Sequence, residues 1–272
     1  MIEVVKAPPF ATVQDLGWPI GRAIGLPQGG AMDPALLQRV NRALGNDLGA
    51  AAIEWALGPG TLRFERTVAV CITFGAIAYL EGVPQHQLLL DVPAGSVLEI
   101  LPRGEERFSY IGVRGGIAVP LVLGSRSTYL PGAFGGYRGR RLQAGDRLPI
   151  GPEPADPAPG RLNLPLTPSP IADVALRVTR GPQWDHFSAA ARDLFFASRY
   201  TVTATSDRMG YRLSGPAVPP SEAATLPSES ACPGAIQIPD GGLPIVLMPD
   251  GPTVGGYPKL GAVIGEDLAR LA

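Results

Sequence analysis

Glycine and proline govern what this chain can become: 35 glycines and 30 prolines stand among its 272 residues. Proline cannot donate a backbone hydrogen bond and disfavours helix in the residue before it. Glycine weakens a helix interior and supplies the turns that other residues resist. A chain interrupted this often has room for many short strands joined by turns, and for few helices. Hydrophobic residues make up 45% and charged residues 17%, so a sizeable core can be buried in two domains or one large one. The expected fold is mainly β.

The punctuation is densest where Pro152, Pro154, Pro157, Pro159, Pro165, Pro168 and Pro170 follow one another. Such a stretch reads as a linker or irregular crossover. It predicts an N-terminal β-rich domain over residues 1–155 and a C-terminal domain over 170–272, each a β-barrel- or sandwich-like unit. Strands are expected at 68–74, 87–91, 96–101, 107–113, 200–205 and 243–248. Asp33-Pro34 suits a helix start, Leu37, Val40 and Leu44 recur at helical spacing, and Gly45 can end that helix. Further helices are expected over 183–197, with Trp184, Phe187, Ala191 and Phe195 on one face, and over about 264–271. The halves echo each other. Asp15 to Arg22 resembles Asp207 to Arg212, and Glu54 with Gly58 to Phe64 resembles Glu229 with Pro233 to Ile238. This reads as an internal duplication.

A net charge of −1 leaves no electrostatic footprint for nucleic acid or an anionic membrane. Cys71 and Cys232 are too few for a disulfide framework, and Cys71 lies in an apolar run that reads as core. Met1 to Lys6 begins like a strand without a signal-peptide apolar region, and no apolar run approaches a membrane span, so a cytoplasmic protein is expected. His86 and His186 are the only histidines, which excludes a histidine-rich metal site. There is no phosphate loop, no nucleophile elbow and no biotin-acceptor Met-Lys-Met, and Gly112 to Gly116 lacks the helix a dinucleotide site needs.

Three turns carry directed polar groups beside glycine: Ser206 to Leu213, Pro233 to Pro239 and Thr253 to Lys259. They read as the rim of one site, with Arg126 or the 12–17 turn nearby. Transfer of a carboxyl or phosphoryl group to an amide needs cationic donors for the anion, acceptors for the amide nitrogen and exclusion of water. Asp207, Arg208, Gln237 and Lys259 are the candidate catalytic residues. Gln14, Asp15, Arg126, Tyr211, Arg212, Glu229, Asp250, Thr253 and Tyr257 are the candidate substrate-binding residues. Structural roles stay open beside these. Arg212 and Glu54 could form a buried ion pair, Asp15 and Asp207 could cap their own turns, Arg126 could belong to a satisfied turn network, and Gln14 could seal a sheet edge. Gln237 and Lys259 are not demanded by turn geometry. Lys259 is one of only two lysines, and as an exposed residue it would add little to stability.

These turns, with Thr12 to Gly17, Gly29 to Asp33 and Gly124 to Thr128, resemble the allophanate hydrolase subunit 2 family of biotin-dependent carboxyltransferase-related proteins, from about residue 2 to residue 271. That family includes the C-type component of ATP-dependent 5-oxoprolinase, the regulator KipA and part of urea carboxylase. The resemblance implies a cyclophilin-like C-terminal unit and a subunit that is inactive alone. Its foremost implied role is opening the lactam of 5-oxoproline to glutamate with a B-type (KipI-like) partner and a LamB/YcsF-type A subunit, with ATP consumed in the complex and no covalent cofactor. The alternatives it implies are carboxyl transfer from a partner's carboxybiotin to urea or a related amide, and KipA-like antagonism of a histidine-kinase inhibitor. Family members usually continue past the position of Ala272 with a further strand and tail, so this chain reads as a short or truncated member.

Overall fold

The computed structural model describes residues 1–271 except 74–75, 86–88, 103–107, 156–172 and 222–225. Five of the seven divide prolines, Pro157 to Pro170, lie outside the described residues, as does His86. The chain forms two compact units: Met1–Trp18 with Gly29–Ala172, and Pro19–Gln28 with Asp173–Leu271. The fold is mainly β. Its strand-paired layers are open in order, so among the described residues the expected barrel closure is not found. No helix among them is long and apolar enough to cross a membrane.

The first unit is a sandwich of two antiparallel sheets. One runs in the order Arg147–Leu148, Ile2–Lys6, Gly60–Phe64, Val97–Pro102, Ala76–Leu80, Val83–Gln85. The other runs Phe10–Gln14, Ala52–Ala56, Phe108–Val113, Val68–Ile72, Leu89–Val92. Alternate residues from both sheets, including Val4, Leu62, Phe64 and Ile100 against Val13, Ile53, Val70 and Ile111, fill one core. The second sheet is buried on its other face too, because helix Pro34–Leu44 lies there, packing Leu37, Val40 and Leu44 onto Ala52, Cys71 and Tyr110. That explains why Phe10–Gln14 and Ala52–Ala56 are buried at every position rather than at alternate ones. The helix starts as expected, with the Asp33 side chain accepting from the Leu36 N–H and proline at the first turn, and Gly45 ends it in the left-handed region. Gly112 permits the close approach, since a Cβ there would lie 2.4 Å from Val40 Cγ1.

In the second unit, the sheet order is Val178–Arg180, Lys259–Val263, Ala235–Gln237, Ile245–Leu247, Gly210–Ser214, Thr201–Val202, and a small ribbon pairs Glu229–Ser230 with Val254–Gly255. Two expectations are corrected here. The helix expected over 183–197 is a 3-10 turn, Trp184–His186, and a separate helix Ala189–Ala197, because Phe187 and Ser188 are extended and the Ser188 hydroxyl caps the second piece through the Ala191 N–H. The internal duplication does not extend to topology. Ala235–Gln237 and Ile245–Leu247 are neighbours in one sheet, whereas the strands that echo them, Gly60–Phe64 and Val68–Ile72, belong to different sheets. Only the local turn is shared: Asp15 accepts from the Gly17 N–H and Asp207 from the Met209 N–H, each two residues on.

Candidate functional site

Within the first unit, the 12–17 turn and the Ser125–Thr128 segment meet at Asp15. Its carboxylate accepts from the Gly17 N–H at 2.8 Å, and from the Ser125 hydroxyl, the Ser127 hydroxyl and the Arg126 N–H at 2.6 Å each. The Asp15 N–H in turn donates to the Ser127 hydroxyl. Four donors occupy this buried carboxylate, so Asp15 works as a structural knot. Arg126 belongs to the same network, its Nε donating to the Val119 carbonyl. Gln14 lies on the edge strand of its sheet and donates to the Thr12 hydroxyl and the Thr128 carbonyl. It seals that edge while its buried Oε1 finds no hydrogen-bond partner among the described residues. Thr12, Glu54 and Tyr110 stand in one row across three strands. Glu54 is fully buried and accepts from the Tyr110 hydroxyl and the Met32 N–H, both at 2.8 Å. Arg212 is exposed rather than buried. Burial, with the Glu54 charge beside it, pushes the Tyr110 phenol well above its ordinary range.

In the second unit, Lys259 and Glu229 form the centre of a second constellation. The Lys259 ammonium donates to Glu229 Oε1 at 2.5 Å. Gln183 ties the pair from both ends: its Nε2 donates to the same oxygen at 2.6 Å, and its Oε1 accepts the Lys259 backbone N–H at 3.0 Å. The hydrogen bond from Lys259 holds the Glu229 carboxyl below its ordinary 4.5, against the opposing effect of desolvation. Lys259 is only 5% exposed, which corrects the expectation of an exposed lysine. Its four-carbon stem is sheathed in the sheet and only the ammonium reaches the half-exposed Glu229. Gln237 is the register partner of Lys259, at a bulge between Ile236 and Gln237. Its Nε2 is buried and finds no acceptor among the described residues. Gly255, paired with Glu229, lies directly over it, and a Cβ at that position would stand 2.5 Å from Gln237 Nε2. The 235–239 and 253–259 turns thus meet in one place.

The 206–212 turn contributes differently. Arg208 and Asp250 form a buried bidentate pair, with both contacts at 2.8 Å. Asp207 is exposed and accepts the Met209 and Gly210 N–H groups, which makes it the cap of its own turn. Arg212, Ile245 and Gln237 are register partners across three adjacent strands and share one face. Tyr211 faces the opposite side with Val246 and Ile236, and is buried there, so it does not line a surface with Arg212. Thr253 is half-buried and its carbonyl accepts the Ala231 N–H, while Tyr257 is exposed. Gln183 is the functional candidate that the sequence did not reveal. A glutamine between a proline and a tryptophan belongs to no motif, and only the fold brings it to residues 229 and 259.

The carboxyltransferase domain family, subdomains A and B, matches residues 24–272. The C-type component of the 5-oxoprolinase of Escherichia coli K12 is 37% identical over 276 aligned residues, covering 100% of this chain and 87% of that protein. The urea amidolyase of Saccharomyces cerevisiae is 34% identical over 94% of this chain but only 15% of its own length. Among solved structures, TTHA0988 superposes with a TM-score of 0.85 at 32% identity, covering 99% of this chain, which spans about half (52%) of that one.

Proposed function

From the premise that this chain belongs to the carboxyltransferase domain family, subdomains A and B, we propose that it is the C-type subunit of an ATP-dependent 5-oxoprolinase. In this role it opens the lactam of 5-oxoproline to glutamate only in company with a B-type partner and a LamB/YcsF-type A subunit. The observation that carries this reading is the match along the whole chain to a protein named as a subunit, of which 87% is covered.

The chemistry of the residues agrees. Among the described residues the buried cations are Arg208 and Lys259, and each is matched by a carboxylate, Asp250 or Glu229. Neither is spare to neutralise a triphosphate, so these two buried pairs form no phosphate site of their own. What this chain contributes is a positioned donor set: Lys259 held by Glu229 and Gln183, with the Gln237 carboxamide beside it. Such a set orients an amide and stabilises charge on its oxygen without itself acting as a nucleophile.

The test is reconstitution. The purified chain should show no 5-oxoproline-dependent ATP hydrolysis, and addition of the A- and B-type subunits should restore it. Robust activity from the chain alone would overturn the subunit reading. The 34% identity with urea amidolyase favours one second reading, carboxyl transfer to an amide from a partner's carboxybiotin. Turnover that requires a biotinylated partner and bicarbonate would select it.

A further inference from the structure

Resting on the subunit reading, we infer that the groove between the edge strand Val178–Arg180 and the helix Ala189–Ala197 docks an extended segment of the B-type partner. The segment adds to the open edge through its backbone and sets an acidic side chain against Arg180. The first ground is the edge. Val178–Arg180 is the outermost strand of its sheet and pairs on one side only, with Lys259–Val263. Just beyond that pairing, the Ile264 N–H donates to the Arg177 carbonyl at 3.1 Å and the Gly181 N–H to the Leu260 carbonyl at 3.0 Å. Bonded residues alternate along an antiparallel pair, so Arg177, Thr179 and Gly181 face the neighbouring strand. The N–H and C=O groups of Val178 and Arg180 therefore point off the sheet, without partners among the described residues. Such an edge is a template for another strand.

The second ground is the groove beside that edge, about 370 Å³ in volume, with Arg180 on the strand side and Arg192, Asp193 and Phe196 on the helix side. The guanidinium groups of Arg180 and Arg192 stack 4.9 and 5.0 Å from the Trp184 ring centre. Stacking leaves the in-plane N–H donors of a guanidinium free. Arg192 turns one toward Asp185 at 3.3 Å, whereas Arg180 has no carboxylate partner among the described residues. Phe196 is 51% exposed, and Ala190, Leu194 and Ala197 leave an apolar stripe on a helix that buries Phe195 alone. Exposed apolar surface, an unpaired arginine and a half-buried tryptophan are the chemistry of an interface anchor. Charge selects the occupant. Asp185 and Asp193 stand in the same groove as Arg180, so a simple anion meets repulsion there. A polypeptide segment carries both signs, alternating side chains and the backbone groups that complete the edge.

Trp184 reports on the groove, since Trp18 and Trp55 are buried and Trp184 is only half-buried. The full chain labelled with 5-fluorotryptophan is titrated with unlabelled B-type subunit and followed by fluorine NMR. The Trp184 signal is assigned through Trp184→Phe, and calorimetry reads the affinity in parallel. The Trp184 signal should shift as the complex forms. Arg180→Glu should weaken the association about tenfold or more, as reversal of a paired charge would. Val178→Pro removes one outward donor, leaves the bonds to Lys259–Val263 in place and should weaken it likewise. If that variant fails to fold, Arg180→Glu decides, because Arg180 is exposed and its charge is not needed by the core. A Trp184 signal unmoved in the complex, equal affinity of wild type and Arg180→Glu, or no association with the B-type subunit overturns the docking groove. The two failures are separable. Turnover of 5-oxoproline by a complex in which Trp184 does not respond removes the groove and keeps the proposed function. A complex that closes over Trp184 yet leaves 5-oxoproline intact does the reverse.

Discussion

Lys259 joins two roles that the sequence kept apart. Its stem is sheathed within the sheet and its ammonium is fixed to Glu229, so its replacement should affect both the fold and the chemistry. In the reconstituted complex, Lys259→Ala should lower turnover by about two orders of magnitude, the effect of removing one positioned donor from a desolvated site. Full turnover by that variant would exclude Lys259 from the site. The ion pair also sets a pH dependence. Because Lys259 holds the folded-state Glu229 carboxyl below its ordinary 4.5, the pair stabilises the fold fully above that pH and loses its effect as pH falls further, through the depressed value. Melting temperatures of the wild type and Lys259→Met should therefore differ at pH 7 and converge as the pH falls below 4.5 and through the depressed value. A gap that persists in acid would show that packing of the stem dominates. Gln237 and Lys259 stood out in the sequence because no turn requires them, and the fold makes them register partners. Asp15 and Asp207 were legible only as polar residues in turns, and each accepts hydrogen bonds from its own turn.

At the scale of elements, the helix Pro34–Leu44 was readable because its signals are local: a capping aspartate, a proline in the first turn and a glycine at the end. Asp33→Ala should cost about 1 kcal/mol in chemical denaturation, the usual worth of a side-chain cap. Gly112→Ala should cost about 1–3 kcal/mol, because the added methyl overlaps Val40 Cγ1 and approaches Leu44 on the helix packed over that strand. A loss under 0.5 kcal/mol would mean that the helix shifts freely. The helical piece after Ser188 was less readable. Its apolar spacing runs on through Phe187 and hides the cap that begins the second helix. The echoed motifs misled for a related reason. A glycine-bounded acidic turn recurs because its own hydrogen bonds favour it, and strand partners are chosen elsewhere, over long separations in the chain.

For the whole molecule, composition was sufficient to announce a β protein, since frequent glycine and proline act on every segment at once. The layering was not readable. Which sheet a strand joins depends on contacts such as Phe108–Val113 with both Ala52–Ala56 and Val68–Ile72, and no local pattern encodes them. The two cysteines give a measure of that layering. Cys71 lies between the sheet and the helix, where burial pushes its thiol up to about 12, whereas Cys232 is exposed. A thiol reagent at pH 8 should consume one equivalent from the native chain and the second only on unfolding. Rapid reaction of both in native conditions would contradict the described packing of the first unit.

The knot at Asp15 also imposes an order in time. Its hydroxyl donors stand 110 and 112 residues further along the chain. At about 5–20 residues per second, a ribosome takes roughly 6–22 seconds to supply them after residue 15 is made. Throughout that interval the strand ending at Gln14 has a charged terminus with most of its partners still unsynthesised. The aspartate must remain hydrated, so the sheet that carries Phe10–Gln14 cannot close its edge early. Closure waits for the serines, and the same carboxylate that fastens the finished domain delays its premature collapse.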